Sequence, residues 1–553
     1  MKSRAEALKD VQNKSFDVCV IGGGATGSGC ALDSQLRGLS TVQIEAGDFA
    51  SATSSASTKM VHGGVRYLEE AFRRFDPAEY KVVNRALHER IHMLQNAPFL
   101  TRAKEFITPC YNWLDLAYYE TGLKLYDWIA GSSSLAPSHF VSREEALRRL
   151  PNLNPQGLAG AVAYTDGQFD DARYNVTLVE SFAETGGVAL NYARVSAFEK
   201  RADGKLAAVT VQDRLSGQSF VVRARSFVNA TGPFADSIRA MANPTVKPRI
   251  RLSKGVHILL PAEVLSSNDA MLIPKTEDGR VLFAIPWMGR LLVGTTEQEV
   301  AAGDELSLTR EEVEYLLRHL NRYLAEPVKT SHVVGGFAGA RPLLSAGDSR
   351  DTKKLARDHE VELDSQSGLI SILGGKWTTY RAIAQDTIDV VQKFLSGNPT
   401  PCSTLHHPLL GSDGYSLDYW KTLAENFSVR ETAARHVAEK YGTRSAQLLS
   451  LIAKDPDLGE PLVKDLAPLR AEVAFAARFE MAMTIEDVLA RRIGLQFYGW
   501  SDAIAAAPPT ADVLAHELGW SEADHDNALS EYVKKISDLQ RRAGLAVEPQ
   551  AGA

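Results

Sequence analysis

The sequence predicts an α/β fold with an α+β part, in which a parallel sheet and antiparallel strands precede a helical C-terminal domain. The chain opens with a strand, a glycine-rich turn, a helix and a second strand within residues 16–45, which is a βαβ pattern. Strand-like runs then dominate, and residues 280–287 and 290–296 are predicted to form a hairpin. Beyond residue 395 the composition changes and helical patterns take over.

Length and composition indicate a globular protein of several domains. The chain has 553 residues, of which 44% are hydrophobic and 23% charged, enough for a large core. The net charge of −7 gives no basic footprint for nucleic acid. The four cysteines form no CxxC pair, so we predict neither a disulfide framework nor a metal site, and the pattern fits a reducing compartment. Residues 1–15 lack a signal-peptide core and are expected to form a short leader.

The glycine-rich turn has the spacing of a dinucleotide-binding site. The apolar strand at residues 16–21 leads directly into Gly22, Gly24 and Gly27, with Ala25 and Thr26 between the last two. The first glycine permits a tight turn, the second lets the backbone approach a pyrophosphate, and the third lets the helix pack close to the sheet. The free N–H groups of the helix N-terminus would face the phosphates.

A carboxylate follows at the place where such a site needs one. The second strand, Thr41–Ile44, ends in Glu45, which can accept hydrogen bonds from the ribose hydroxyls. Strand, glycines, helix and acid occur in the required order, which favours a dinucleotide over an unrelated glycine turn. These residues alone do not separate FAD from NAD.

Two later segments favour FAD. The strand at residues 227–232 ends in Ala230-Thr231-Gly232 and resembles the segment that passes the dinucleotide in flavoproteins of the glutathione-reductase type. A second glycine-rich strand at residues 369–375 opens a predicted helix near Thr378. That helix N-terminus could face the pyrimidine edge of the flavin, where the reduced ring carries negative charge. We therefore predict that Thr231, Gly232, Gly375, Lys376 and Thr378 contact FAD.

Six segments resemble the signatures of the FAD-dependent glycerol-3-phosphate dehydrogenases. They are residues 53–68 (TSSASTKMVHGGVRYL), 254–257 (KGVH), 285–287 (IPW), 294–296 (GTT), 340–343 (ARPL) and 374–380 (GGKWTTY). The resemblance extends from about residue 16 to about residue 540. The stretch at residues 118–131 is more similar to the mitochondrial-type branch of the family.

The resemblance implies a glutathione-reductase-type FAD-binding domain interleaved with a substrate domain built on an antiparallel sheet, followed by a helical cap. The expected division assigns residues 16–80, 165–240 and 335–395 to the FAD part, 81–164 and 241–334 to the substrate part, 396–410 to a linker and 411–545 to the helical domain. The implied reaction is the oxidation of sn-glycerol 3-phosphate to dihydroxyacetone phosphate, with electrons passing through FAD to a membrane quinone.

The substrate of that reaction carries a phosphate dianion, which needs fixed cations. Arg66, Arg341, Arg357 and Lys376 are candidates, and all except Arg357 belong to family-like segments. Arginine offers bidentate contacts to phosphate, and Tyr67 could add a hydroxyl donor. A structural ion pair is the alternative role for each arginine.

A proton acceptor for the substrate hydroxyl is also needed. His257 matches a substrate-domain histidine of the family, and its ordinary pKa suits proton abstraction near neutrality. His62 is a second candidate, although its position before Gly63 and Gly64 favours a place beside the flavin. In a third scheme Arg341 or Lys376 orients the hydroxyl and water takes the proton. Our catalytic candidates are His257 and Arg341.

The hydroxyl-rich loop before His62 is expected to run beside the FAD phosphates and ring. We therefore predict that it contributes cofactor contacts, from Ser54, Ser55, Ser57, Thr58, His62, Gly63 and Gly64. A plain flexible loop is the alternative, which the need to position residues 62–68 disfavours.

Contact with a membrane quinone would require a peripheral membrane surface, and we expect one at the cytoplasmic face. The candidates are an apolar patch at residues 113–125 and the C-terminal helix with Lys534, Lys535, Arg541 and Arg542. A homodimer is also expected. Three other functions stay open: an oxidase that uses oxygen, a flavin-binding protein without turnover, and a nicotinamide-dependent dehydrogenase, which would be colourless.

Overall fold

The computed structural model describes residues 1–64, 77–304, 306–345 and 359–545, and these ranges form 18 strands in two sheets. The strands are β1 (Ser15–Ile21), β2 (Thr41–Ile44), β3 (Met60–Val61), β4 (Thr101–Cys110), β5 (His139–Val141), β6 (Gly160–Phe169), β7 (Val188–Leu190), β8 (Ala193–Lys200), β9 (Leu206–Asp213), β10 (Ser219–Asn229), β11 (Ile250–Pro261), β12 (Ala270–Ile273), β13 (Leu282–Trp287), β14 (Arg290–Gly294), β15 (Gln298–Val300), β16 (Gly335–Leu344), β17 (His359–Leu363) and β18 (Leu369–Gly374).

Sixteen α-helices lie in the same described ranges. They are α1 (Arg4–Asn13), α2 (Ala25–Leu36), α3 (Pro77–Asn96), α4 (Trp113–Ala130), α5 (Arg143–Arg149), α6 (Asp171–Glu184), α7 (Ala235–Ala242), α8 (Arg310–Asn321), α9 (Tyr380–Phe394), α10 (Tyr419–Phe427), α11 (Glu431–Tyr441), α12 (Ser445–Leu449), α13 (Arg470–Phe479), α14 (Leu495–Tyr498), α15 (Trp500–Leu518) and α16 (Glu522–Arg542). Within these ranges no helix has both the length and the apolar character needed to cross a bilayer.

The first sheet contains the predicted dinucleotide unit. Its strand order is β17-β18-β10-β1-β2-β7, with β8 and β9 extending it beside β10. Strand β1 pairs in parallel with β2 and β10, so the βαβ prediction for residues 16–45 is confirmed. The strand core is wholly apolar: Val18, Cys19 and Val20 have no exposed surface, as a strand with a layer on each face requires. Helix α2 packs against α6 and α9 on this sheet.

The second sheet has ten strands and is mainly antiparallel. The predicted hairpin is confirmed as β13 and β14, and its turn has positive φ at Met288 (48°) and Gly289 (70°). The long strand β11 pairs with β14, β15 and β16. Its register against β16 sets His257 opposite Phe337, Gly255 opposite Gly339 and Ser253 opposite Arg341.

Opposed residues of an antiparallel pair point to the same face, and so do residues two positions apart. His257 and Arg341 therefore share one face of the second sheet, with a pair of glycines between them. Because Gly255 and Gly339 carry no side chains, this face has space beside His257, which we call the glycine floor.

The C-terminal region is helical, as the sequence predicts, and it packs directly on the second sheet. Trp500 of α15 and Ile536 of α16 belong to the same apolar core as Val256 of β11. The leader is helix α1, whose Ala7 and Val11 are buried in the core of the first sheet. The predicted domain boundaries remain a prediction.

Candidate active site

A cavity of about 770 Å³ is lined by elements of both sheets. Its wall contains the loop between β2 and β3, one side of helix α4, the neighbouring paired strands β11 and β16, and the turn after β18. The predicted residues on this wall are Ser57, Thr58, His62, Gly64, His257, Arg341, Gly375, Lys376 and Thr378. The folded chain thus brings together residues from four widely separated segments.

The glycine-rich turn is packed too closely against its neighbours to accept side chains. A Cβ on Gly22 would lie 2.5 Å from the carbonyl O of Ala230, and φ at this glycine is +117°. A Cβ on Gly27 would lie 2.1 Å from the carbonyl O of Gly22, and one on Gly24 would lie 2.8 Å from Ser54 Oγ. The close packing explains why glycine is needed at these three positions, as the tight turn and close helix packing of a dinucleotide-binding unit require.

Glu45 lies next to this turn. Its carboxylate accepts hydrogen bonds from the N–H groups of Gly23 (2.6 Å) and Gly47 (2.8 Å). Burial raises the pKa of Glu45, and the two N–H donors oppose that shift. A Cβ on Gly23 would lie 2.8 Å from the Cβ of Glu45, so a fourth glycine is required here, in addition to the three that the motif specifies. The triple-glycine run in the sequence was the signal for it.

The hydroxyl-rich loop connects the first glycine turn to the second. Ser54 Oγ accepts a hydrogen bond from the N–H of Ala25 at 2.9 Å, at the start of helix α2. The carbonyl O of Ser54 accepts one from Trp377 Nε1 at 2.9 Å. Ser55 is buried, and its hydroxyl donates to the carbonyl of Ala52 at 3.4 Å.

The end of β10 lies against the first turn. Thr231 donates its hydroxyl to Asn229 Oδ1 at 2.7 Å, and Gly232 has φ of +54°. Neither Thr231 nor Gly232 lines the cavity. The residue before Thr231, Ala230, packs against Gly22 of the first turn.

His257 is held in one place by three neighbours. Its Nε2 lies 3.0 Å from Thr58 Oγ1, and its ring stacks on Phe337 with centroids 4.9 Å apart. A Cβ on Gly294 would lie 2.2 Å from the ring, so that glycine leaves the space that the imidazole fills. Burial lowers the pKa of His257 well below its ordinary value, and the charges of Arg341 and Lys59 lower it further. The imidazole is therefore neutral at neutral pH and can accept a proton.

Arg341 lies over the glycine floor. Its Nη2 donates to Thr295 Oγ1 at 2.9 Å and its Nη1 to the carbonyl O of Thr296 at 3.4 Å. A Cβ on Gly255 would lie 2.3 Å from Nη2, so the guanidinium occupies the place of the missing side chain. Neither the two threonines nor Gly255 was singled out from the sequence, although they stand in the family-like segments 294–296 and 254–257.

The second glycine-rich segment faces the residues around His62. The N–H of His62 donates to Thr378 Oγ1 at 3.3 Å, and the N–H of Gly63 donates to Tyr126 at 2.9 Å. Burial lowers the pKa of His62, and the nearby charge of Lys376 lowers it further, whereas Asp166 opposes the shift. Gly375 has φ of +100°, which favours glycine at this turn. Arg66, Tyr67 and Arg357 lie outside the described residues.

Comparisons with known proteins agree with this arrangement. The FAD-dependent oxidoreductase model matches residues 17–381, and the model for the C-terminal domain of alpha-glycerophosphate oxidase matches residues 402–525. The chain is 39% identical to mitochondrial glycerol-3-phosphate dehydrogenase of Mus musculus over 94% of this chain and 73% of the relative, and 38% identical to that of Homo sapiens over the same shares. The chain belongs to the FAD-dependent glycerol-3-phosphate dehydrogenase family.

One solved structure of a glycerol-3-phosphate dehydrogenase matches nearly the whole chain, and a second solved structure matches in fold. The glycerol-3-phosphate dehydrogenase from Bacillus halodurans complexed with FAD has a TM-score of 0.80 and 27% identity, and the match covers 99% of each chain. L-alpha-glycerophosphate oxidase from Mycoplasma pneumoniae has a TM-score of 0.54 at 17% identity, covering 71% of this chain and 98% of that one, which shows a shared fold.

FAD is the cofactor of this family member, and the residues present fit it. The first turn has the strand, close-packed glycines and helix start of a dinucleotide-binding unit, and the carboxylate of Glu45 lies beside it. The second glycine-rich turn lies on the cavity wall, and Ser54 connects the two turns by its hydrogen bonds to Ala25 and Trp377.

Proposed function

We propose that this chain oxidises sn-glycerol 3-phosphate to dihydroxyacetone phosphate, with FAD as the acceptor of the C2 hydride and a membrane quinone as the final acceptor. The observation that carries the proposal is the presence of the buried His257 and the guanidinium of Arg341 on one face of β11 and β16, where both line the cavity. Both line the cavity whose wall also contains the second glycine-rich turn. A phosphorylated alcohol needs this combination of base and fixed cation.

His257 and Arg341 have separate roles in this scheme. His257 takes the proton of the substrate hydroxyl, since burial keeps the imidazole neutral, and Thr58 holds its Nε2. Arg341 orients the substrate, and Lys376 adds a second cation on the cavity wall. Arg66, Tyr67 and Arg357 are proposed as further phosphate contacts.

When bound, FAD supplies the two-electron acceptor that none of the twenty side chains provides. We propose that the chain holds it by the two glycine-rich turns, by Glu45 and by the hydroxyl-rich loop. The proposed contacts are Gly22, Gly24, Ala25, Thr26, Gly27, Glu45, Ser54, Ser55, Ser57, Thr58, His62, Gly63, Gly64, Thr231, Gly232, Gly375, Lys376 and Thr378.

The proposed membrane surface is helix α4, attached peripherally at the cytoplasmic face. Three of its aromatic residues are strongly exposed, namely Trp113 (67%), Tyr118 (48%) and Trp128 (73%). Tyr118 also lines the cavity, so the helix lies between the cavity and an exposed apolar surface. Interfacial tryptophans and an apolar helix face suit the boundary of a bilayer. On α16, in contrast, Lys535 and Arg541 are engaged by Glu486 and Asp538.

The surface can be tested separately from the chemistry. The variant Trp113→Ser/Trp128→Ser should lose sedimentation with lipid vesicles and keep substrate-dependent flavin reduction. Leu417→Ser, which removes an apolar side chain that is 84% exposed in the C-terminal region, is the matched control. Undiminished vesicle binding of the α4 variant would refute the location.

The substrate assignment is tested by anaerobic mixing of the purified flavoprotein with glycerol 3-phosphate. The flavin absorbance band should bleach, whereas glycerol and glycerol 1-phosphate should leave it unchanged. Glycerol lacks the phosphate that the cations bind, and glycerol 1-phosphate presents the opposite configuration at C2. An unbleached flavin with glycerol 3-phosphate would refute the proposed reaction.

Oxygen is a second candidate acceptor, because the model that matches residues 402–525 is described from an oxidase. Oxygen uptake and peroxide formation by the detergent-purified protein distinguish the two. Rapid peroxide production without added quinone or dye would favour the oxidase.

A further inference from the structure

Lys59 lies behind the cavity with no exposed surface, although lysine is seldom fully buried without a partner. Its Nζ donates to the carbonyl O of Ser55 at 2.7 Å and forms an ion pair with Asp171, which is equally buried. The same Nζ lies 4.9–5.1 Å from the centroids of three aromatic rings. Lys59 itself is not among the residues that line the cavity.

Asp171 connects this lysine to the hydroxyl-rich loop. It stands in the first turn of α6, where the helix dipole favours a carboxylate. Its Oδ2 accepts hydrogen bonds from the N–H (2.9 Å) and the hydroxyl (2.6 Å) of Ser57. The Ser57 hydroxyl in turn accepts one from the N–H of Lys59 at 3.1 Å. These bonds enclose Thr58 between two fixed neighbours.

The backbone at Lys59 supports a specific role for this cluster. Its φ is +61°, in the left-handed region that residues other than glycine seldom adopt. Such a conformation persists only where the surrounding structure fixes it, and it is found often at functional sites. Here the conformation of Lys59 fixes the course of the backbone next to Thr58, the preceding residue.

Two contacts lead from the cluster to His257. Thr58 Oγ1 lies 3.0 Å from His257 Nε2. Phe337 stacks on the imidazole with centroids 4.9 Å apart, and its ring centroid also lies 4.9 Å from Lys59 Nζ. The ion pair therefore borders both neighbours that orient the histidine.

We propose that Lys59 and Asp171 form a positioning pair that holds Thr58 and Phe337 against His257, so that the imidazole is aligned for proton transfer. This inference rests on the proposed function, in which His257 is the base. Two cations face the imidazole, Arg341 from β16 and Lys59 from the loop, while Thr58, Phe337 and Gly294 are its uncharged neighbours. The charge of Lys59 favours the neutral ring, so its removal should let the histidine protonate at higher pH.

The chain contains a matched control for the test. Asp170, next to Asp171, pairs with Lys440 at 2.7 Å, and both side chains are buried. The control pair lies at the same helix end but is directed to the C-terminal region. The double variants Lys59→Met/Asp171→Asn and Lys440→Met/Asp170→Asn each remove one buried pair and leave no unpaired charge.

The readouts are bound FAD, the melting temperature, and the anaerobic rate constant for flavin reduction by glycerol 3-phosphate between pH 5 and 9. For Lys59→Met/Asp171→Asn we expect retained FAD, a fall of about ten- to a hundredfold in the limiting rate constant, and a substrate Kd within about twofold of the wild type. Its acid limb should move to higher pH. The control should keep the wild-type rate constant and pH profile.

Ser57→Ala provides a milder test if the double variant does not fold. It removes the hydroxyl bonds to Asp171 and Lys59 but no charge, so the rate constant should fall while the acid limb stays in place. The proposal is overturned if Lys59→Met/Asp171→Asn reduces flavin at the wild-type rate, or if both double variants lose rate equally with an unshifted acid limb. A wild-type flavin that glycerol 3-phosphate does not bleach would refute the proposed function instead.

Discussion

The most direct test of the site geometry is a single methyl group at Gly255. In Gly255→Ala the new Cβ would lie 2.3 Å from Nη2 of Arg341 and 2.7 Å from its Cζ and Nη1. An ordinary contact needs about 3.4 Å or more, so the guanidinium must move by about 1 Å. The group that moves is the far end of a flexible side chain, and the strand pairing between β11 and β16 can stay as it is.

The displacement breaks defined bonds. The guanidinium would leave Thr295 Oγ1 and the carbonyl of Thr296, which it now contacts at 2.9 and 3.4 Å. Hydrogen bonds to a charged group contribute about 1.5–3 kcal/mol each. If the substrate loses one such contact, its affinity should fall by roughly ten- to a hundredfold.

The assay is an anaerobic titration of flavin reduction with glycerol 3-phosphate, from which the limiting rate constant and the apparent Kd are obtained. Gly255→Ala should raise the apparent Kd and keep bound FAD and the melting temperature near the wild-type values. Gly397→Ala, whose Cβ would meet nothing within 4 Å, is the control. An unchanged Kd for Gly255→Ala would refute the role of Arg341 in substrate binding.

Three further predictions address the base, the cofactor and the stability. His257→Gln should lower the limiting rate of flavin reduction by about 10²–10⁴-fold with little change in Kd. In the wild type the rate of flavin reduction should be lost only well below pH 6.5, because burial and Arg341 lower the pKa of His257 and the neutral ring is the active form. Stopped-flow measurements over a pH series check the effect of the variant and the pH dependence of the wild type. Gly27→Ala should purify without bound FAD, because its methyl group would lie 2.1 Å from the carbonyl O of Gly22, and the flavin-to-protein absorbance ratio measures this. Arg492→Met should destabilise the fold by about 3–5 kcal/mol in urea unfolding, because it removes the bonds at 2.7 and 2.9 Å that pair a buried Asp48. Burial alone would raise the pKa of Asp48, but the charges of Arg492 and Arg491 outweigh burial and lower it. The stabilising contribution of Asp48 should therefore be present above its unfolded-state pKa and be lost as the pH falls through the lowered pKa.

Local features of the fold could be predicted from the sequence because their causes are local. The first glycine turn, the acid that follows it and the hairpin around Met288 each depend on residues within a few positions of one another. Burial periodicity and turn chemistry are visible at that range. The helical C-terminal region could be predicted for the same reason.

Relations across the second sheet could not be predicted in this way. The fit of Arg341 over Gly255 depends on the register of β11 against β16, and a shift of one residue would turn Arg341 to the other face. The Lys59–Asp171 pair joins residues 112 positions apart, and a lysine before a short strand carries no sign of burial. Family-like segments contained several of these residues, but they did not indicate which side chains touch.

The C-terminal region also stabilises the loop that contains the proposed ribose contact. Asp48 lies three residues after Glu45, has almost no exposed surface, and is paired with Arg491 and Arg492, more than 440 residues away in the chain. Without these arginines a buried carboxylate would stand unpaired beside the proposed ribose contact, which is costly in a low-dielectric interior. The loop that is proposed to hold the ribose is therefore stabilised from the C-terminal region, and the order of the cofactor site depends on both ends of the chain.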